Sequence, residues 1–231
     1  MKKYTIYGEE FFPKFSFPIK GKFKKTDLIP LDLSDQNDEL DESITKSVKS
    51  FQDHIFRKIS SAQAKGAYGG YGERRSLYRR SQVFQTIEKW RNVHLGLDIW
   101  FPAGTAVCAP MPGRIHSFQN TSEKGDYGPT IILEHHIGNE KIYSLYGHLS
   151  LRSLEGIEIG QMILRGEIFA HLGHPDENVD WPPHLHFQLI YDIQNKTGDY
   201  PGVCHADERE FYLKNCPNPS DFFNGFDGII D

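Results

Sequence analysis

The sequence is poor in cysteine. It has three, Cys108, Cys204 and Cys216, with no CxxC pair among them. That excludes a cysteine zinc finger and a thioredoxin-type redox site, and three thiols are too few for a disulfide framework. Long apolar runs are missing as well. No stretch approaches the roughly eighteen apolar residues that a membrane-spanning helix needs. The N-terminal MKKYTIYGEEFFPKFSF starts basic but lacks the apolar run of a secretory signal. The expectation is a soluble protein of a reducing compartment, cytoplasmic by default. Positive charge is not in excess either. Lys plus Arg is 26 against 31 for Asp plus Glu, giving a formal net charge of -5. This argues against a strongly cationic nucleic-acid binder. The HExxH, P-loop, GxGxxG and GxSxG motifs are all absent.

What is present is a chain of 231 residues, 38% hydrophobic and 25% charged, with eleven histidines. This is a folded composition, sized for one domain or one domain plus an extension. Histidine is the commonest metal ligand, so eleven of them direct attention to how they are spaced. The first 25 residues carry seven lysines and two acids, and residues 27–42 carry seven acids and no base. Such short charge blocks read as an arm that packs on the main body. From Ser34 to about Lys65, Leu40, Ile44, Val48, Phe51, Ile55, Ile59 and Ala62 recur at helical spacing, which predicts one long helix stopped at Gly66. The stretch GAYGGYGERRSLYRR at 66–80 reads as a glycine-rich loop. Its Arg74, Arg75, Arg79 and Arg80 read first as a solvated surface, and second as a cleft border with an arginine facing an anionic group of a substrate.

From about Val93 to Asp192 short strands alternate with turn signals, among them TAVCA, GRIHSF, PTIILEH and KIYSLYGHL. This pattern predicts a mainly β fold, an antiparallel sandwich or barrel, with an N-terminal helical extension. The expected division is 1–80 for the extension, 81–200 for the β domain and 201–231 for an irregular tail that packs on the body.

The histidines with informative spacing lie in the β half. In the strand expected after Pro182 and Pro183, His184 and His186 sit two residues apart, roughly 6.6 Å on the same face. One can bind a metal while its neighbour acts as an acid or base. His94 and Asp98 would be about 13 Å apart in a straight strand. Joint ligation therefore requires a bend, which Gly96 at the midpoint allows. A His, Asp, His set suits zinc and leaves a coordination position for water. His171 and His174 read as surface residues, and His135 and His136 as strand neighbours facing opposite sides. His116 and His205 carry no partner signal.

HLGLD, YGHLS and HLHF, in this order, resemble the zinc metallopeptidases of the M23 family, the lysostaphin and LytM type. The segments FPAGTAVCAPMPGRIHSF, GDYGPTIILEH and IEIGQMILRGEIFAHLG between them fit the family's glycine pattern. The resemblance covers about residues 90–190. It implies a β-sheet peptidase domain with a groove over a Zn2+ ion. His94, Asp98 and His186 match the family's zinc ligands, and His148 and His184 its two catalytic histidines. Tyr127 and Trp181 are candidates for lining the groove and binding substrate, and are equally readable as packing residues. The resemblance implies a peptide or peptidoglycan-like substrate, with no nucleic-acid partner and no membrane span. A non-hydrolytic zinc-containing module that binds a peptide, glycan or protein is the alternative; retention of both His148 and His184 favours the enzyme.

Overall fold

The computed structural model describes residues 4–6, 9–11, 15–85, 89–223 and 229–230. Along the chain, a short hairpin of β1 (Tyr4–Ile6) and β2 (Glu9–Phe11) is followed by β3 (Phe23–Lys24) and β4 (Leu28–Pro30). Two helices come next, α1 (Glu42–Thr45) and α2 (Val48–Ser61). They replace the single helix that the periodicity suggested over 34–65. The interruption has a local cause. Ser47 is extended, at φ -138° and ψ 153°, and its hydroxyl accepts a hydrogen bond from the Ser50 amide, capping a new helix. Asp41 caps α1 in the same way. Nor does Gly66 end α2. Gln63 does so with φ 54°, its amide donating to the Ser60 carbonyl while the Ala64 amide reaches the Ile59 carbonyl. That is a Schellman termination.

Gly66 instead opens β5 (Gly66–Gly69). After β6 (Val93–His94) and β7 (Leu97–Trp100) come β8 (Ala106–Cys108), β9 (Gly113–Asn120), β10 (Pro129–Ile137) and β11 (Glu140–Gly147). Then follow β12 (Met162–Ile163), β13 (Ile168–His171), β14 (Leu185–Ile190) and β15 (Val203–Cys204). The chain closes with α3 (Arg209–Asn215) and β16 (Ile229–Ile230). The segment after Pro201 is therefore less irregular than its sequence suggested: β15 pairs with β6, and α3 follows it.

The fold is mainly β. Its main sheet has eight strands in the order β12-β9-β10-β11-β14-β7-β5-β4. Every pairing in it is antiparallel except β4 with β5, so the sheet is mixed. It ends at β12 and β4 and does not close into a barrel, which corrects the barrel reading. β4 and β5, from the part of the chain before residue 81, complete this sheet through β5 and β7.

Strand alternation gives the sheet two distinct faces. Leu97, Ile99, Leu185, Phe187 and Leu189 belong to one large core with Phe15, Phe17, Val107, Ala170, Phe222 and Phe223. The intervening residues, Asp98 and Trp100 on β7 and His186, Gln188 and Ile190 on β14, point the other way. There α2 packs through Phe51, Ile55 and Ile59. The edge of the Phe51 ring meets Trp100, with centroids 6.1 Å apart. The apolar periodicity of α2 thus fixes the wall on which the candidate site is built.

Candidate metal centre

β7 and β14 are paired so that His186 lies directly opposite Asp98. His94 enters from β6, on the far side of a bend at Gly96. β6 pairs with β15 while β7 pairs with β14, so the chain leaves one sheet and joins another between Leu95 and Leu97. The bend brings His94 Nε2 within 3.2 Å of Asp98 Oδ1. His186 Nδ1 lies 3.4 Å from the same oxygen and 2.9 Å from His94 Nε2. Glycine is required at position 96 for a second reason. A Cβ there would stand 2.6 Å from the His186 ring atoms Cε1 and Nε2. We therefore expect Gly96→Ala to displace His186 and weaken zinc binding at least about 10-fold. Competition with a chromogenic chelator measures this, and an unchanged affinity would contradict the packing argument.

The hydrogen bonds on the outer side of each imidazole fix its tautomer, because a carbonyl oxygen can only accept. His94 Nδ1–H donates to the Gly70 carbonyl at 2.9 Å, so its Nε2 carries a lone pair. Gln188 donates through its own nitrogen to the Pro201 carbonyl, which turns its Oε1 to His186. His186 Nε2–H then donates to that oxygen at 2.9 Å, leaving a lone pair on Nδ1. Two imidazole lone pairs and a carboxylate oxygen thus point at one spot. Asp98 Oδ1 is buried and accepts no hydrogen bond. Such a constellation is unfavourable without a cation and is the donor set that zinc takes. Among the described residues this is the one cluster of His, Cys, Asp or Glu whose ligand atoms converge in this way.

His148 and His184 stand beside it. His184 Nδ1–H donates to the Pro182 carbonyl at 2.8 Å, and its Nε2 lies 3.7 Å from Asp98 Oδ1. Its ring stacks on Trp100 at 4.1 Å between centroids, and the His148 ring is 4.3 Å away. His148 has φ 61°, a strained left-handed conformation for a side-chain-bearing residue. It is held there by its amide, which donates to the Tyr127 carbonyl, and by its carbonyl, which accepts from Gly173. All five residues are at most 5% exposed.

Burial sets the charge states. It pushes His94 down to about 4, helped by the Arg75 guanidinium, and pushes His184 down to about 4 as well. Burial, together with His184 and His186, also holds His148 well below the usual histidine range. These imidazoles are neutral at pH 7, as metal ligation and proton acceptance both require. Burial alone would raise the Asp98 carboxyl, but the Arg75 guanidinium bonded to it opposes this, and the carboxyl is held well below the usual range.

The site opens into a cavity of about 290 Å³ whose walls include Tyr127, Trp181, Arg75 and Tyr78. Both groove candidates from the sequence therefore line it. Tyr127 also supports the site, since its hydroxyl donates to the Tyr200 carbonyl at 3.1 Å. His171, His174 and His136 are exposed, whereas His135 is buried and bonded to Ser144, away from the cluster.

Three supporting residues had not been singled out as site residues. Gln188 follows His186 by two positions on the same face of an otherwise apolar strand, which is a readable signal. Gly70 and Glu73 sit in the stretch that read as a loop and carried none. Arg75 is corrected as well. It is not solvated; it is buried against Asp98, at the wall of the cavity.

Residues 92–198, a little under half of the chain, match the model of Peptidase family M23. No curated protein matches the chain. Among solved structures, a zinc-containing peptidase from Vibrio cholerae is 26% identical over 46% of this chain and 29% of its own, with a TM-score of 0.35. This chain therefore spans under a third of that protein's length. The catalytic domain of the antimicrobial peptidase lysostaphin from Staphylococcus simulans is 24% identical over 52% of this chain and 80% of its own, at 0.36. The catalytic domain of the prophage-encoded M23 protein EnpA from Enterococcus faecalis is 22% identical over 51% and 85%, also at 0.36.

Proposed function

We propose that the protein is a zinc-dependent endopeptidase, with His94, Asp98 and His186 holding the ion, His184 serving proton transfer and His148 supporting it. The observation that carries this reading is the buried, unpartnered Asp98 Oδ1 facing two imidazole lone pairs, with a third, His184 Nε2, 3.7 Å from it. When bound, zinc lowers the pKa of a water and polarises the substrate carbonyl.

The remaining chemistry falls to side chains of this chain. Peptide hydrolysis needs a proton taken from the attacking water and one given to the leaving amine. His184 is suited to take it, because its Nδ1–H is committed to the Pro182 carbonyl and its neutral Nε2 presents a lone pair to the site. The proton that His184 takes can then pass to the leaving amine, while His148, in ring contact with it, is suited to stabilise the developing charge. Trp181 and Tyr127 narrow the cavity, exclude water and orient a peptide across it. Peptidoglycan cross-links or stem peptides are the first substrate class, by likeness to the M23 family.

The test is hydrolysis of a panel of D-amino-acid-containing peptides and glycine oligomers, with and without chelator. We expect cleavage of at least one substrate, lost on chelation and restored by stoichiometric zinc. Zinc bound with no cleavage across the panel would identify a non-hydrolytic binding module instead.

A further inference from the structure

We propose that Arg75 is a positioning residue that restricts Asp98 to one-oxygen contact with the metal, and so keeps a coordination position open for water. The inference rests on the metallopeptidase reading above and concerns a part of the chain outside residues 92–198.

The Arg75 side chain is 3% exposed. Its Nη1–H donates to Asp98 Oδ2 at 2.7 Å and also lies 3.1 Å from the Tyr78 hydroxyl. Its Nε–H donates to Glu73 Oε2 at 2.6 Å. Glu73 is itself anchored, since its other oxygen accepts from the Leu33 amide at 2.9 Å. The planar guanidinium is thus pinned at both ends, which a flexible ammonium could not reproduce. Gly70 completes the brace. It has φ 96°, its carbonyl orients His94, and a Cβ on it would collide with Arg75 Nη2. One loop, 70–78, therefore orients two of the three ligand residues.

The consequence lies in the carboxylate. Asp98 turns Oδ1 to the imidazoles and Oδ2 to Arg75. A carboxylate with both oxygens free can chelate one ion through both, adding a fifth ligand atom that crowds the position water takes. For Asp98 to do so, Oδ2 must abandon a buried, charge-assisted hydrogen bond. Arg75 thereby selects single-oxygen ligation, and three ligand atoms leave room for water.

Cobalt(II) in place of zinc reads this directly, because its visible absorption is intense for four ligands and weaker for five or six. We expect Arg75→Met to lower that absorption at least about 2-fold and to change zinc affinity about 10-fold. Arg75→Lys, which restores a charge but not the fork, should fall between it and wild type. A folded Arg75→Met protein with the wild-type cobalt spectrum and zinc affinity would overturn the proposal. The wild-type protein supplies a test free of folding effects. Crystallised with zinc, it should show Oδ2 still on Arg75, and both Asp98 oxygens on the ion would overturn the proposal alone. A wild-type protein that takes up no metal would overturn the underlying metallopeptidase reading, and this proposal with it.

Discussion

Replacing His184 with alanine is expected to lower kcat/KM for peptide hydrolysis by about 100- to 10,000-fold while zinc content stays at the wild-type level. The separation of the two readouts follows from geometry. His184 is not part of the converging ligand set; its Nε2 stands one shell away, 3.7 Å from Asp98 Oδ1. Its ring is held by the Trp100 stack, and Trp100 is held by Phe51 of α2. Removing the imidazole leaves the three ligands and their outer hydrogen bonds in place. The same outcome is expected for His148→Ala, whose backbone is fixed independently by Tyr127 and Gly173. Steady-state kinetics paired with metal analysis on the same samples checks both. Full activity in both variants would remove the two histidines from the reaction, and loss of zinc would make them ligands.

Asp98→Ala should act on metal and fold together. It removes a ligand atom, so bound zinc is expected to fall to the background of a metal-stripped sample. It also strips Arg75 of one of its two carboxylate partners within the protein interior. An uncompensated buried charge is costly, and here Glu73 remains to pair with it, so we expect a loss of about 3 kcal/mol in unfolding free energy. Urea unfolding of the metal-free proteins measures this without a contribution from zinc binding. A variant as stable as wild type would mean that the Arg75 pair adds nothing net. A variant that still holds one zinc would mean that Asp98 is not a ligand.

The parts of this architecture that sequence made legible are those set by local pattern. The alternation of Leu185, Phe187 and Leu189 with His186, Gln188 and Ile190 is a period-two signal, and the structure separates these sets onto opposite faces. Gly96 between His94 and Asp98 marked a bend, and the chain changes sheets there. The parts that escaped depend on partners distant in sequence or on backbone choices without a residue-type signature. The helical period runs unbroken through Val48, yet the Ser47 cap splits it. Gln63, not a glycine, adopts the left-handed conformation that ends α2. Arg75 looks like its neighbour Arg74, but Arg74 pairs with Asp35 at the surface and Arg75 with Asp98 in the interior. Nothing within the loop distinguishes them. The difference is imposed by β5 pairing with β7, which carries the loop over the ligands. The open, mixed sheet in place of a barrel has the same origin, since the parallel β4–β5 pair joins segments separated by two helices.

The central claim is that His94, Asp98 and His186 hold one zinc ion. Anomalous diffraction across the zinc edge, from crystals of the protein grown with stoichiometric zinc, tests it most directly. We expect a single peak about 2.0–2.2 Å from His94 Nε2, Asp98 Oδ1 and His186 Nδ1. No peak among these three atoms, or zinc held only elsewhere on the protein, would contradict the account.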